Sequence, residues 1–260
     1  MKIGLGVVSY NRPEYLKQCL ESLEKNGWSG AHVRMVVEDG SDEKHKEAYD
    51  ALEEQYCDHV MFFRSEQNQG VGPAKNLILQ HLIDEGCDHL FIMEDDILMI
   101  LPVTCFEYIN YAAEKGVFHL NFALHGDGNI GRKHEIDGIC VYPNCVGAFS
   151  YYHKKCIDTV GFLDEKFHNA WEHVEHTMRI ANAGLTTPFW YFADHPDSGD
   201  MLREIEGSIQ NSSIRPREDW KKSIEEGYLY WVDKHKEFLP ERPTWPTPHI
   251  SKLPKQEEKE

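Results

Sequence analysis

The stretch His89-Leu90-Phe91-Ile92-Met93-Glu94-Asp95-Asp96-Ile97 joins a run of strand-forming apolar residues to three consecutive acids. Burying one carboxylate without a partner is costly, and burying three is prohibitive. The acids therefore belong at the carboxyl end of a buried strand, where open α/β sheets bind ligands. Clustered carboxylates there need a cation. Hard oxygen ligands suit Mg2+ or Mn2+, either of which can also grip a phosphate. Glu94 and Asp96 point to the same side of an extended chain, which makes them the pair expected to face the metal. Taken alone, the triplet reads equally well as an acidic surface turn, so the rest of the chain decides.

The elements around it repeat a strand-helix pattern. Ile3 to Val8 reads as a buried strand, followed by the turn Ser9-Tyr10-Asn11-Arg12 and a helix opened by Pro13. Val33 to Val37 is a second strand, ending in Glu38-Asp39-Gly40-Ser41-Asp42, with Asp42 placed to cap a helix running to Tyr56. Val60 to Phe63 is a third strand. Asn68 to Pro73 is a glycine-rich turn into the next helix, and the acid-ended strand follows. This is the pattern of a parallel α/β sheet with helices on both faces. It delivers acids and glycines to one edge, where a ligand crevice is expected. The second half is less regular. Val103 to Lys115 reads as a helix, while Phe118 to Leu124, Gly138 to Tyr152 and Leu185 to Ala193 read as strands. His125 to Asn129 reads as a mobile loop, and Trp171 to Ala183 as a helix. Gly147-Ala148 marks a place where a backbone or ligand approaches closely. Three segments are expected: a main domain over 1–215, an amphipathic helix over 216–239, and a proline- and charge-rich tail over 240–260.

Composition narrows the partners. With 27 basic and 44 acidic residues the formal charge is -17, which repels nucleic acid and anionic membranes outside a local basic patch. The residues to inspect for such a patch are Arg203, Arg215, Arg217, Lys221 and Lys222. No apolar run approaches a membrane span. Seven cysteines, an odd number with no Cys-x-x-Cys, read as reduced core residues of a cytoplasmic protein.

In order and spacing these pieces resemble the family 2 glycosyltransferases of the GT-A fold. They are Val8-Ser9-Tyr10-Asn11-Arg12, Val37-Glu38-Asp39-Gly40-Ser41-Asp42, Asn68-Gln69-Gly70 with Ala74-Lys75-Asn76, and Glu94-Asp95-Asp96. Later pieces are Gly161 to Phe167 and Trp171 to Glu175, then Arg179 and Gly184. The resemblance covers roughly residues 3 to 195. It implies a Rossmann-like, nucleotide-sugar-binding α/β domain with a mostly parallel sheet, here carrying a C-terminal helical extension. It implies transfer of a sugar, most often from a UDP-sugar and with inversion, to an acceptor hydroxyl. The acceptor could be a glycan, a protein or a modified nucleic-acid base, and a homo-oligomer is compatible with the pattern.

The resemblance also assigns roles. Ser9, Asn11, Arg12 and Asp39 should hold the base and ribose, with Lys75 near the base or the phosphates. Asp96 should bind Mn2+ or Mg2+ directly, with Glu94 and Asp95 on the ribose or supporting the metal. His195 is a candidate third ligand, and equally a surface or capping histidine. The chain departs from the family at Glu172-His173, where Glu-Asp is usual and the Asp is the expected general base. Histidine can do that work at neutral pH. Glu172 or Glu175 could do it instead. Residues 172 and 175 share a helix face, with 173 about 100° away from 172, so the spacing predicts that either His173 or the glutamate pair faces the site. Trp171 could stack on a sugar or belong to the core.

Two other classes fit the sequence less well. A nucleotidyltransferase usually carries a glycine-rich basic loop after the first strand, where this chain has Ser-Tyr-Asn-Arg-Pro. A non-catalytic glycan-binding domain would have no need of the acids at Asp39 and Asp96.

Overall fold

The computed structural model describes residues 1–216, 218–237 and 239–243. The first half alternates as expected: β1 (Ile3–Ser9), α1 (Pro13–Lys25), β2 (Val33–Glu38), α2 (Lys46–Tyr56), β3 (Met61–Arg64), α3 (Val71–Asp84), β4 (His89–Glu94) and a short β5 (Ile97–Met99). Then follow α4 (Thr104–Lys115), β6 (His119–Asn121), β7 (His134–Ile136), β8 (Ile139–Tyr142), β9 (Phe149–His153) and α5 (Lys154–Val160). The chain ends with α6 (Glu172–Asn182), β10 (Phe192–Ala193), α7 (Ser198–Met201), β11 (Leu202–Glu204) and α8 (Trp220–His235).

The main sheet has the order β3-β2-β1-β4-β9-β6. β3, β2, β1 and β4 run parallel, and β9 lies antiparallel between β4 and β6. The mostly parallel sheet flanked by helices is therefore present. Its central strand alternates strictly. Ile3, Leu5 and Val7 enter one buried cluster, shared with Leu16, Leu20 and Phe91. On the opposite face a Cβ on Gly6 would stand 2.3 Å from Ile78, and one on Gly4 would stand 2.6 Å from Leu82. The two glycines let α3 lie directly on the sheet. The register pairs Val8 with Glu94 and Ser9 with Glu38, so three strand ends finish level. The turn after β1, the loop after β2 and the acids after β4 are thereby brought to one edge.

The second half departs from its sequence pattern. The run from Gly138 to Tyr152 divides into β8 and β9, which belong to different sheets, because residues 143–148 leave the strand conformation around Pro143. Leu185 to Ala193 contributes only the two residues of β10, since Pro188 removes a ladder donor. The short pair of β5 and β11 had no legible signal. It folds the chain back over the acidic strand end, with Ile205 N donating to Asp96 O at 2.8 Å.

α8 docks on the main body. Trp231 is buried against Trp171, with ring centroids 5.5 Å apart and planes 21° apart. Trp171 donates through Nε1 to Ile224 O at 3.1 Å, so it packs under α8. Pro240 O accepts from Trp190, and Arg242 donates to Pro143 O and to Asn144. Most of the expected tail, residues 244–260, lies outside the described residues, as do Arg217 and Phe238. No helix among the described residues is long and apolar enough to cross a membrane.

Candidate active site

The level strand ends open into two adjoining clefts. One, of about 530 Å³, is lined by Ser9, Arg12, Asp39, Gly70, Glu94, Asp95 and Ile214, among others. The second, of about 950 Å³, is lined by Arg12, Glu94, Asp96, His125, Gly147, Glu172 and His173. Ser208, Ser213, Ile214 and Arg215, from the segment after β11, also line it. Ser213 Oγ donates to Tyr10 O at 3.1 Å, which ties that segment across the opening.

The three acids face three different environments. Asp95 is buried, accepting from Ser9 Oγ at 2.7 Å and from Arg12. Burial is the main force raising its carboxyl above the ordinary range, with Arg12 opposing it. Asp96 Oδ2 accepts from Arg12 Nη1 at 3.1 Å and lies 3.5 Å from His125 Nε2. Burial would raise the Asp96 carboxyl, but His125 and Arg12 outweigh it and hold it low. Its Oδ1 is buried without a hydrogen-bond partner among the described residues. Glu94 accepts from Lys75 Nζ at 2.8 Å.

Several residues stand elsewhere than the sequence implied. Lys75 is 2 % exposed and does not reach out toward phosphates. Its three N–H groups donate to Glu94, to Gly147 O at 3.0 Å and to Glu172 Oε1 at 3.2 Å, which exhausts its donors. Asn11 accepts from Asp42 N at 2.7 Å and its own N donates to Ser41 Oγ at 2.8 Å. It knits the loops after β1 and β2 together and is not among the cleft residues. Asp39 lines the cleft, but its oxygens accept from Asn68 Nδ2, Gln69 N and Gly70 N at 2.8 to 3.0 Å. It anchors the glycine turn that opens α3. Ser9 is spent on Asp95 and on the Tyr49 hydroxyl, 2.8 Å away.

The alternative of His173 or a glutamate pair is resolved differently. Glu172 and His173 both line the larger cleft, while Glu175 is fully buried away from it. Glu175 accepts from Arg179 Nε through both oxygens, from Lys234 at 2.8 Å, and lies 2.9 Å from His235 Nε2. It is the anchor of α8, which removes it as a candidate base. His195 is likewise not brought to the acids. Its ring packs 5.0 Å from Tyr111 and 5.7 Å from Tyr108, and its Nδ1 accepts from Asp197 N. The histidine beside Asp96 is His125, with Glu204 Oε1 3.9 Å from its Nε2. Neither is legible in the sequence, because His125 reads as part of a mobile loop and Glu204 is placed by the β5-β11 pair, which has no sequence signal.

Among the described residues no three acids, histidines or cysteines converge tightly enough to hold a metal ion by themselves. A cation here would need ligands from a bound molecule, and the unpartnered Asp96 Oδ1 is the oxygen free to meet it.

Comparison with known proteins agrees with this geometry. Residues 5–101 match the family described as Glycosyl transferase family 2. A teichoic acid poly(glycerol phosphate) polymerase of Staphylococcus epidermidis is 28% identical over 103 residues, which is 40% of this chain and 14% of that protein. The chain thus spans a small part of that relative. Among solved structures, the mannosyltransferase PcManGT from Pyrobaculum calidifontis, in complex with GDP-Man and Mn2+, is similar with a TM-score of 0.61 at 15% identity. That likeness covers 93% of this chain and 66% of that one. S. aureus TarS 1-349 in complex with UDP-GlcNAc gives a TM-score of 0.56 at 16% identity, over 90% of this chain and 67% of that one. At such identities the structural likeness speaks for the fold. Together the matches show a GT-A glycosyltransferase fold in which residues 5–101 are similar to glycosyl transferase family 2.

Proposed function

We propose that the protein transfers a sugar from a nucleotide sugar, a UDP-sugar in the first instance, to an acceptor hydroxyl with inversion. One observation carries this reading: a single cleft is lined by Glu94 and Asp96 at the strand end and by His173 at the start of α6. The nucleoside occupies the smaller cleft, beside Asp39 and Arg12, and the diphosphate lies toward Asp96. Asp96 Oδ1, with the donor's own phosphate oxygens, would hold Mn2+ or Mg2+. When bound, such an ion would supply positive charge against the charge growing on the diphosphate leaving group.

The chain's own residues do the remaining work. His173 takes the proton of the acceptor hydroxyl. The freed oxygen forms its bond to the anomeric carbon, and the bond to the diphosphate breaks with the electron pair leaving on phosphate oxygen. Arg12 holds Asp95 and Asp96 in place, and Ser213 and Ile214 cover the donor from the opposite side. Glycans are favoured as acceptors over nucleic acid, because the charge of -17 opposes a polyanion.

His173→Ala tests the assignment of the base. Transfer should fall by about 10²–10⁴ while donor affinity stays normal. Full activity in that variant, with loss in Glu172→Gln, would move the base to Glu172.

A further inference from the structure

His173 and Glu172 are neighbours in sequence, yet their exposure differs. The Glu172 side chain is 3% exposed and that of His173 is 21% exposed. Glu172 Oε1 lies 3.1 Å from His173 Nδ1 and accepts from Lys75 at 3.2 Å. Burial alone would raise the Glu172 carboxyl. The adjacent His173 and the Lys75 ammonium, both within hydrogen-bonding distance, outweigh it and hold the group well below the ordinary range. An ionised carboxylate can only accept. The Nδ1 of His173 must then be the donor in this pair, and a neutral imidazole with its proton on Nδ1 has its lone pair on Nε2.

The ring is also confined from the side of the sheet. A Cβ built on Gly147 would stand 2.7 Å from His173 Cγ and 2.9 Å from Nδ1. The missing side chain at 147 is what lets the ring lie there. Gly147 O meanwhile accepts from the same Lys75 that holds Glu172. One buried ammonium therefore fixes the carboxylate, the loop backbone beside the ring, and Glu94 at the donor end.

We propose that Glu172 is a positioning residue: held by Lys75, it keeps the His173 proton on Nδ1 and leaves Nε2 as the basic nitrogen available to the acceptor hydroxyl. When Nε2 takes the acceptor proton, the Nδ1 proton stays where it is and Glu172 faces an imidazolium. This inference rests on the glycosyl-transfer reading in which His173 is the base.

The test needs no substrate. The full chain, labelled at the histidine nitrogens, is read by long-range nitrogen–proton NMR at about pH 8, where a free imidazole is neutral. The His173 signals are identified by their loss in His173→Gln. The expected result is a proton on Nδ1 in the native chain and a mixture of both tautomers in Glu172→Gln, because an amide can either donate or accept. A native proton on Nε2 overturns the proposal, and so does an Nδ1 proton that is unchanged in Glu172→Gln. If Glu172→Gln does not fold, Gly147→Ala reads the same contact by displacing the ring. The tautomer preference should then be lost, and its survival overturns the proposal. Failure of the parent reading is distinguishable: full transfer by His173→Ala would remove the base while leaving the NMR result standing.

Discussion

Arg12 reaches across the end of the central sheet and binds both Asp95 and Asp96, meeting Asp96 Oδ2 at 3.1 Å. Burial would lower the guanidinium's affinity for its proton, but Asp95 and Asp96 outweigh it and raise it further. A planar fork with fixed charge suits this better than a lysine would. The consequence is a division of labour among adjacent acids. Asp95 is buried and shared between Ser9 and Arg12. Asp96 keeps one oxygen that has no hydrogen-bond partner among the described residues, the oxygen that the proposed function gives to the cation.

Asp39 has a similar double character, and its removal should show both sides. Its carboxylate receives two backbone N–H groups of the turn that opens α3. Asp39→Ala should lower folding stability by about 1–3 kcal/mol, since those donors lose their acceptor. It should also weaken nucleotide binding, because the turn is a wall of the cleft proposed for the nucleoside. Denaturant unfolding and calorimetry with UDP read the two effects separately. Unchanged affinity would leave Asp39 with the anchoring role alone.

Glu175 should behave in the opposite way to its neighbours on α6. Glu175→Gln leaves Arg179, Lys234 and His235 around a neutral group, and breaking such a buried pairing costs about 3–5 kcal/mol. The melting temperature should drop, whereas turnover of the folded fraction should stay within a factor of about 3, a difference of under 1 kcal/mol. A dead but fully stable variant would contradict the assignment of Glu175 to the α8 anchor.

The same anchor should be acid-sensitive. Asp164 accepts from Tyr230 at 2.8 Å and from Lys234 at 2.6 Å. Burial would raise its carboxyl, but Lys234, the Lys166 N–H and Tyr230 outweigh it and bring it to about 2. A carboxyl lowered from the ordinary 3.8 contributes stability that is complete above the unfolded value and is lost as pH falls toward the folded one. The window is therefore between about pH 4 and pH 2. Tryptophan emission, which reports the stacked Trp171 and Trp231, should change across it. In Asp164→Asn that acid limb should be shallower, and an identical limb would count against this tie.

The chain shows its parallel half plainly and hides its antiparallel half. From Ile3 to Asp96 each strand end is announced by a local change from apolar to polar residues, and the ligand edge follows from topology. Beyond Asp96 the decisive contacts are distant in sequence. His125 and Glu204 come beside Asp96 only because β11 pairs with β5, two three-residue strands with no period to detect. Lys75 is expected near the base or the phosphates until Glu94, Gly147 and Glu172 close around it. Helical spacing alone separated His173 from the glutamates. It could not show that Glu172 turns toward the cleft while Glu175 turns to α8.

The central claim is that this edge holds a nucleotide sugar through a cation on Asp96. The most direct measurement is the melting temperature of the full chain with a panel of UDP- and GDP-sugars, with and without Mn2+, for the native sequence and Asp96→Ala. A ligand at about 100 times its dissociation constant adds about 2.7 kcal/mol to stability. At least one nucleotide sugar should raise the melting temperature with Mn2+ well beyond either component alone, and Asp96→Ala should remain folded and lose that gain. Stabilisation that is the same without metal and in Asp96→Ala, or none from any nucleotide sugar, would contradict the account.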